Sequence, residues 1–547
     1  MLLPLTSEQN SWVEKTLAAM SMEECVGHLL CPEDRNYSPA DWHDILRDVP
    51  LGSVFIGGGT RAELLGKCRL IQAEAKIPVL VASDMENGAI LIKDEATHFP
   101  AAMGVAATGN PEMLYQMGRI TALESRSCGI HWTFSPVVDL NLNFNNPVTN
   151  IRSLGDRPDR TIPLLRELIR GLQQDGLMAA TAKHFPGDGV DDRDQHMCTS
   201  VNSLPKEQWF ELYGRVWRAA IDAGVMSVMA GHIAFPDWQG CAADPEAAMP
   251  ATLSPELQVD LLRNRLGFKG LLVSDAAPMT GLCSRAPADE LAWRNIAAGS
   301  DAFLFADPRV DFARLMAAVR QGKLREERVM EAVRRMLEMK ARLNLHRNAF
   351  APEITPAQLA AHGETARQVA EASITQVRVR PGLLPARLAP GAKVLTVTMT
   401  ESDGHGQEWK DLPLIDAELR RRGLVVDHQK NPGCDTLFAA LDKYDRIFVN
   451  FYMIPHLRMG LLRLAGAAFG GFWKGFYANA LDKVVFTSFG TPYVLHEQPH
   501  LNNLLLAYGP YAVSQRAAVR AWLGEIAPAG TCPVRLPKVQ VRRFPLE

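Results

Sequence analysis

Between about Leu51 and Phe305, short apolar runs of strand length recur, each ending in a polar or glycine residue and each followed by residues with helical spacing. The runs are LGSVFIGG (51–58), PVLVASD (78–84), HWTFSPVVDL (131–140), LMAATAKHF (177–185), VMSVMAGH (225–232), LLVSD (271–275) and DAFLF (301–305). Between them lie amphipathic stretches such as MLYQMGRITALESRSCG, where Gly129 is a natural helix C-cap. Strand–helix repeats imply a parallel sheet. This many repeats over so short a span predict an α/β fold with an N-terminal (βα)8 TIM-like barrel, although seven strands rather than eight are visible.

The pattern changes after the barrel. Leu324 to Leu345 reads as a charged helix with Val329, Val333, Met336, Leu337 and Leu343 on its apolar side. The Pro- and Gly-rich RPGLLPARLAPGAK (380–393) then signals a junction. KVLTVTMT, DRIFVNFYMI and DKVVFTSFG follow as buried strands of a second layered domain. The division expected is a catalytic barrel over 1–348, a linker over 349–390 and a C-terminal α/β sandwich over 391–547. The apolar stretch Leu464 to Trp473 is far shorter than the roughly 20 residues of a membrane span and is expected in a core or groove wall.

Composition narrows the function classes. A charge of −3 over 547 residues with no basic block gives nucleic acid little to bind. The nine cysteines are odd in number and lack paired short spacings, which predicts reduced thiols in a cytoplasmic protein rather than a disulfide frame or zinc site. The start lacks a basic region before its apolar residues, so no export signal is expected. Neither a nucleic-acid nor a membrane partner is expected, and the oligomeric state is left open.

The ends of the apolar runs carry the candidate chemistry: Asp84, Lys183 with His184, His232 and Asp275. In a barrel the C-terminal ends of the strands converge on one face, where a polyhydroxylated ligand would meet several polar groups at once. Singly, each has an ordinary alternative. Asp275 could cap a helix, Asp84 could open a turn, and Arg152 could be a surface ion-pair residue. In KHFPGDGVDDRDQH (183–196), Asp194 and His196 are two apart, so in an extended segment the carboxylate could orient the imidazole for proton transfer. The alternatives there are a solvated acidic loop or calcium bound by Asp191, Asp192 and Asp194, though the EF-hand pattern is missing.

Taken together, SWVEKTLAAMSMEECVGHL, ASDMENG, WTFSPVVDLN, NIRSLGDRP, KHFPGDG with a downstream Asp-x-His, and VSDAAPMTG resemble glycoside hydrolase family 3. Within the family they are most similar to the bacterial β-N-acetylglucosaminidase branch, whose loop reads KHFPGHG followed by Asp-Ser-His. The resemblance spans residues 10 to about 345 and continues into DKVVFTSFGTPYVL and SQRAAVRAWLGE of the second domain. It implies a retaining exo-glycosidase that releases terminal β-N-acetylglucosamine. Asp275 would be the nucleophile and His196, oriented by Asp194, the acid/base, carried on a mobile loop that swings over the sugar. Asp84, Arg152, Lys183 and His184 would hold the sugar. The resemblance implies no cofactor or metal.

Three departures bear on the sugar. Asp188 replaces the branch's usual histidine, Met85 and Asn87 alter the usual Asp-Gln-Glu-Gly-Gly, and APMTG lacks the acidic residue often found after the nucleophile. Alternatives on the same scaffold are a shifted sugar preference or a β-N-acetylglucosaminide phosphorylase, since a neutral imidazole repels phosphate less than a carboxylate does. From another class, a non-catalytic sugar-binding protein would use the barrel without turnover.

Overall fold

The computed structural model describes residues 2–34, 37–378, 380–400, 411–433, 439–455, 462, 482–499 and 501–538. The chain forms two compact units. The first takes in Met1–Thr97, Leu114–Thr149 and Arg157–His362, and the second His98–Met113, Asn150–Asp156 and Gly363–Glu547. The stretch 464–473 lies outside the described residues.

In the first unit every expected apolar run contains a strand: β2 (Ser53–Phe55), β3 (Leu80–Ser83), β4 (Trp132–Thr133), β5 (Ala179–Phe185), β7 (Ser227–Ala230), β9 (Leu271–Ser274) and β10 (Phe303–Leu304). The eighth is β1 (Leu30–Cys31), two residues long and too brief to stand out as a run. The parallel order β2-β3-β4-β5-β7-β9 is closed into a ring by the β1–β10 pair and by parallel bridges Glu33–Phe55 and Val273–Ala302. Two further short strands, β6 (Ser200–Val201) and β8 (Ile233–Ala234), pair with each other after β5 and β7.

Residues buried on both faces explain why the strands read as nearly continuous apolar runs. Inside, Phe55, Leu80, Trp132, Phe134, Met229 and Val273 pack with Met336 and Met339 of the helix Glu326–Arg342 and with its C-cap Leu343, so the interior is filled rather than hollow. That helix reads as charged, yet Arg328 and Lys340 are buried along with its apolar side. Asp301, wholly buried, explains the arginine: it receives Arg263 at 2.7 Å, Arg328 at 2.7 Å and Arg335 at 2.9 Å. Charge on this helix therefore ties it to the barrel.

The second unit is built on one six-stranded sheet, ordered β11-β16-β15-β14-β12-β13, with β11 (Thr375–Arg378), β12 (Lys393–Thr400), β13 (Val425–Lys430), β14 (Arg446–Tyr452), β15 (Val484–Ser488) and β16 (Leu504–Leu506). All neighbours are parallel except β11 with β16. Apolar clusters cover both faces, one including Val397, Phe451 and Phe486 and the other Phe448, Val485 and Trp522. The layered α/β architecture expected from the sequence is what the strands form.

The proposed linker is different. Residues 349–390 contain the helix Pro356–Ser373 and β11, which pairs Thr375 with Leu506 at the sheet edge. With its backbone hydrogen bonds placed in that sheet, the segment belongs to the second unit from Gly363 onward. The Pro- and Gly-rich residues mark a turn between β11 and β12. Among the described residues, no helix is long and apolar enough to cross a membrane.

Candidate active site

The C-terminal ends of β3, β5, β7 and β9 bring together the polar groups singled out in the first unit. At the end of β5, Lys183 and His184 are buried and each is held by carboxylates. Lys183 Nζ lies 3.0 Å from Asp84 Oδ1 and 2.8 Å from Glu86 Oε1, with the Asp84 side chain still 44% exposed. A buried ammonium pinned between two acids presents a half-exposed carboxylate to ligand hydroxyls.

His184 Nδ1–H donates to Asp139 Oδ2 at 2.7 Å, which leaves Nε2 on the other side of the ring, 4.0 Å from Asp275 Oδ2. Asp139 is fully buried and also accepts the backbone N–H groups of His184, at 3.1 Å, and Asp188, at 2.7 Å. Sequence reasoning missed both Asp139 and Glu86. The signal for each was present, since Asp139 is the last polar residue of the run at 131–140 and Glu86 follows Asp84 by two.

Asp275 directly follows β9 and its backbone N–H donates to Ala230 O of β7, fixing it between two strand ends. The next helix starts at Thr280 with Met279 as its N-cap, so Asp275 caps no helix. Its Oδ1 accepts the Ala276 N–H at 2.7 Å. Burial would raise this carboxyl, but the facing imidazoles of His184, His232 and His196, with the Ala276 N–H, outweigh it and hold the group below its ordinary value. The result is an ionised carboxylate in a largely dry site, the state a nucleophile requires.

His232 plays a different part from the other two. Its Nε2–H donates to Ala276 O at 2.9 Å and its Nδ1 meets Thr252 Oγ1 at 3.0 Å. A carbonyl can only accept, so Nε2 carries a proton, and burial pushes the pKa of the ring down. It braces the loop after Asp275.

Asp194 and His196 pair as the spacing suggested. His196 Nδ1–H donates to Asp194 Oδ1 at 2.6 Å, the same oxygen accepts the His196 backbone N–H at 2.9 Å, and the ring remains half-buried. Nearby, Asp191 is occupied by Arg193, 2.9 Å away, and by the Val201 N–H at 2.8 Å. The segment expected to be mobile is tightly packed. Gly187 (φ +135°) and Gly189 (φ +97°) occupy a backbone region open to glycine, and a Cβ on them would lie 2.3 Å from the Tyr213 ring and 2.1 Å from Leu140 O. These glycines serve close approach.

Asp188 lies buried in the same segment. Its Oδ1 accepts from Asn146 Nδ2 at 2.8 Å and from the Gly189 N–H at 2.6 Å. Burial and the charge of Asp139 push its carboxyl up to about 7 against these donors. Asp84, Lys183, His184, Asp194, His196 and Asp275 all belong to the first unit, whereas Arg152 closes the turn Asn150–Arg152 in a segment of the second.

Comparison with known proteins places this arrangement in a family. Residues 21–339 match the glycosyl hydrolase family 3 N terminal domain. The chain is 35% identical over 540 residues to a β-N-acetylglucosaminidase/β-glucosidase of Cellulomonas fimi, covering 96% of this chain and 95% of that protein. It is 28% identical to a β-hexosaminidase of Vibrio cholerae over 292 residues, covering 52% of this chain and 82% of the relative. Among solved structures, the β-glucoside phosphorylase BglX bound to 2FGlc superposes with a TM-score of 0.86 at 29% identity, covering 97% of both chains. A family 3 β-N-acetylglucosaminidase from a Paenibacillus species superposes at 0.82 with 25% identity, covering 94% of this chain and 99% of that one. The chain is thus a member of glycoside hydrolase family 3, an α/β glycosidase acting on β-linked sugars.

Proposed function

We propose that the protein is a retaining exo-β-N-acetylglucosaminidase working through a covalent glycosyl-enzyme. Asp275 attacks the anomeric carbon while the protonated Nε2 of His196 gives its proton to the departing glycosidic oxygen. The C–O bond to the aglycone breaks as the ester to Asp275 forms. His196, now neutral, takes a proton from water, whose oxygen displaces Asp275 and restores both groups. Asp194 keeps Nδ1 protonated and the ring aimed. Asp84, Lys183 and His184 bind the sugar hydroxyls.

The observation that carries this reading is the 2.6 Å pairing of His196 with Asp194, alongside a carboxylate at 275 kept ionised in a buried site. A non-catalytic sugar-binding protein would need neither. The preference for an acetamido group at C2 is supported by the names of the Cellulomonas, Vibrio and Paenibacillus relatives. Scattered free cysteines support a cytoplasmic site of action.

A second reading is favoured by the β-glucoside phosphorylase among the structural relatives. In it phosphate, rather than water, resolves the glycosyl-enzyme, and the sugar carries hydroxyl at C2. Aryl β-glycosides differing only at C2, each assayed with and without inorganic phosphate, separate the two. Faster turnover of the acetamido substrate with no sugar 1-phosphate supports the hydrolase; phosphate-dependent release of glucose 1-phosphate supports the alternative. No turnover of any aryl glycoside would leave only the binding protein.

A further inference from the structure

Gln195 separates Asp194 from His196 and is completely buried. Its side chain bridges two parts of the site. Oε1 accepts the backbone N–H of His232 at 3.0 Å, and Nε2 donates to Asp188 Oδ2 at 3.3 Å. The orientation of the amide is dictated by its partners, because only the oxygen can meet an N–H and only the nitrogen can meet a carboxylate. His232 is the residue whose ring holds the carbonyl of Ala276, directly after Asp275. Asp188 is joined through its own N–H to Asp139, the carboxylate that orients His184.

The backbone of the same segment is held on its other side. Thr280 N–H donates to His196 O at 3.1 Å, and a Cβ at Gly281 would come within 2.4 Å of Gln195 O. The Asp194–His196 segment is therefore clamped between the turn that follows Asp275 and the Asp188 carboxylate, with the Gln195 amide as the buried link.

We propose that Gln195 and Asp188 form a positioning pair that fixes His196 for proton transfer, and that this donor–acceptor link, not the Asp194 contact alone, sets the efficiency of the acid step. The proposal rests on His196 being the acid/base. Neither residue touches the reacting atoms. Their effect reaches the chemistry through the backbone of 194–196, where a displacement of about 1 Å is enough to cost proton transfer.

The polarity of the link supplies its test. Gln195→Glu keeps the shape and the acceptor for His232 N–H but sets two carboxyl groups against each other. Asp188→Asn sets two amide donors against each other. Combined, the substitutions reverse the link, since the amide at 188 can donate to the carboxylate at 195 while its oxygen still accepts from Gly189 and Asn146.

The readout is kcat/KM across aryl β-glycosides whose phenols range from good to poor leaving groups, with thermal melts of every variant. We expect each single variant to lose about tenfold more on the poor leaving groups than on the activated ones. The double variant should return to within about threefold of the wild-type pattern. Losses equal across the series in Gln195→Glu, or a folded double variant no better than the singles, would overturn the proposal. Should the double variant fail to fold, Gln195→Met decides, because it removes both hydrogen bonds at similar volume; an even loss there also overturns it. His196→Ala in the same series distinguishes the two claims. An even loss for that variant sinks the acid role itself, whereas a selective loss there beside even losses in the Gln195 variants sinks only the positioning pair.

Discussion

The imidazole of His184 stands between two carboxylates, 2.7 Å from Asp139 on one ring nitrogen and 4.0 Å from Asp275 on the other. Asp139 fixes the ring at the end of β5 so that its other edge faces the candidate nucleophile, and the coulombic effect of His184 is the largest that lowers the Asp275 carboxyl. His184→Gln removes that edge, so the Asp275 carboxyl should rise. Because Asp275 acts ionised, the acidic limb of the kcat/KM profile should move to higher pH, by about 0.5–1 unit. A pH–rate series on an activated aryl glycoside measures it; an unmoved limb would remove His184 from the electrostatics of Asp275.

His196→Ala should cost about 10²–10⁴ in kcat/KM on substrates with poor leaving groups and much less on activated aryl glycosides, since only the former need a proton. Asp194→Ala should show the same selectivity in milder form, because the ring remains but loses the partner at 2.6 Å. Steady-state kinetics on matched substrates check both.

How much of this could be read from the chain alone depended on the range of the interaction. Seven strands announced themselves because burial on both faces made each a continuous apolar run, and β1 did not because two residues carry no period. Asp194 and His196 were legible as a pair since they are two residues apart. Asp139 with His184 are 45 apart, and Gln195 with His232 are 37 apart, so only the closed barrel brings them together. The glycines at 187 and 189 read as mobility, but their neighbours Tyr213 and Leu140 come from other elements. The linker was misplaced because β11 finds its partner, Leu506, more than a hundred residues later.

Two buried charges of the first unit, Asp301 and Lys340, should respond in opposite ways to removal. Asp301→Ala strips the partner from Arg263, Arg328 and Arg335 and should cost about 3–5 kcal/mol in a denaturant titration.

Lys340, by contrast, is fully buried with no hydrogen-bond partner for Nζ among the described residues, and burial pushes its pKa down to about 7. The unfolded chain holds this proton up to its ordinary value, so the penalty is complete below pH 7 and fades as pH rises towards 10.5. Lys340→Met should therefore stabilise the protein most below pH 7, by up to about 4 kcal/mol. Its advantage should shrink across that window. Melts of both proteins from pH 6 to 10 give the answer, and a pH-independent difference would contradict it.

The most direct test is to trap the glycosyl-enzyme. Incubation with 5-fluoro glycosyl fluorides of the β-N-acetylglucosaminyl and β-glucosyl types, followed by peptide mapping by mass spectrometry, reports which residue takes the sugar. The account predicts one sugar per chain, esterified to Asp275, and no adduct in Asp275→Ala. A label on any other residue, or turnover of these reagents by the Asp275→Ala variant, would contradict it.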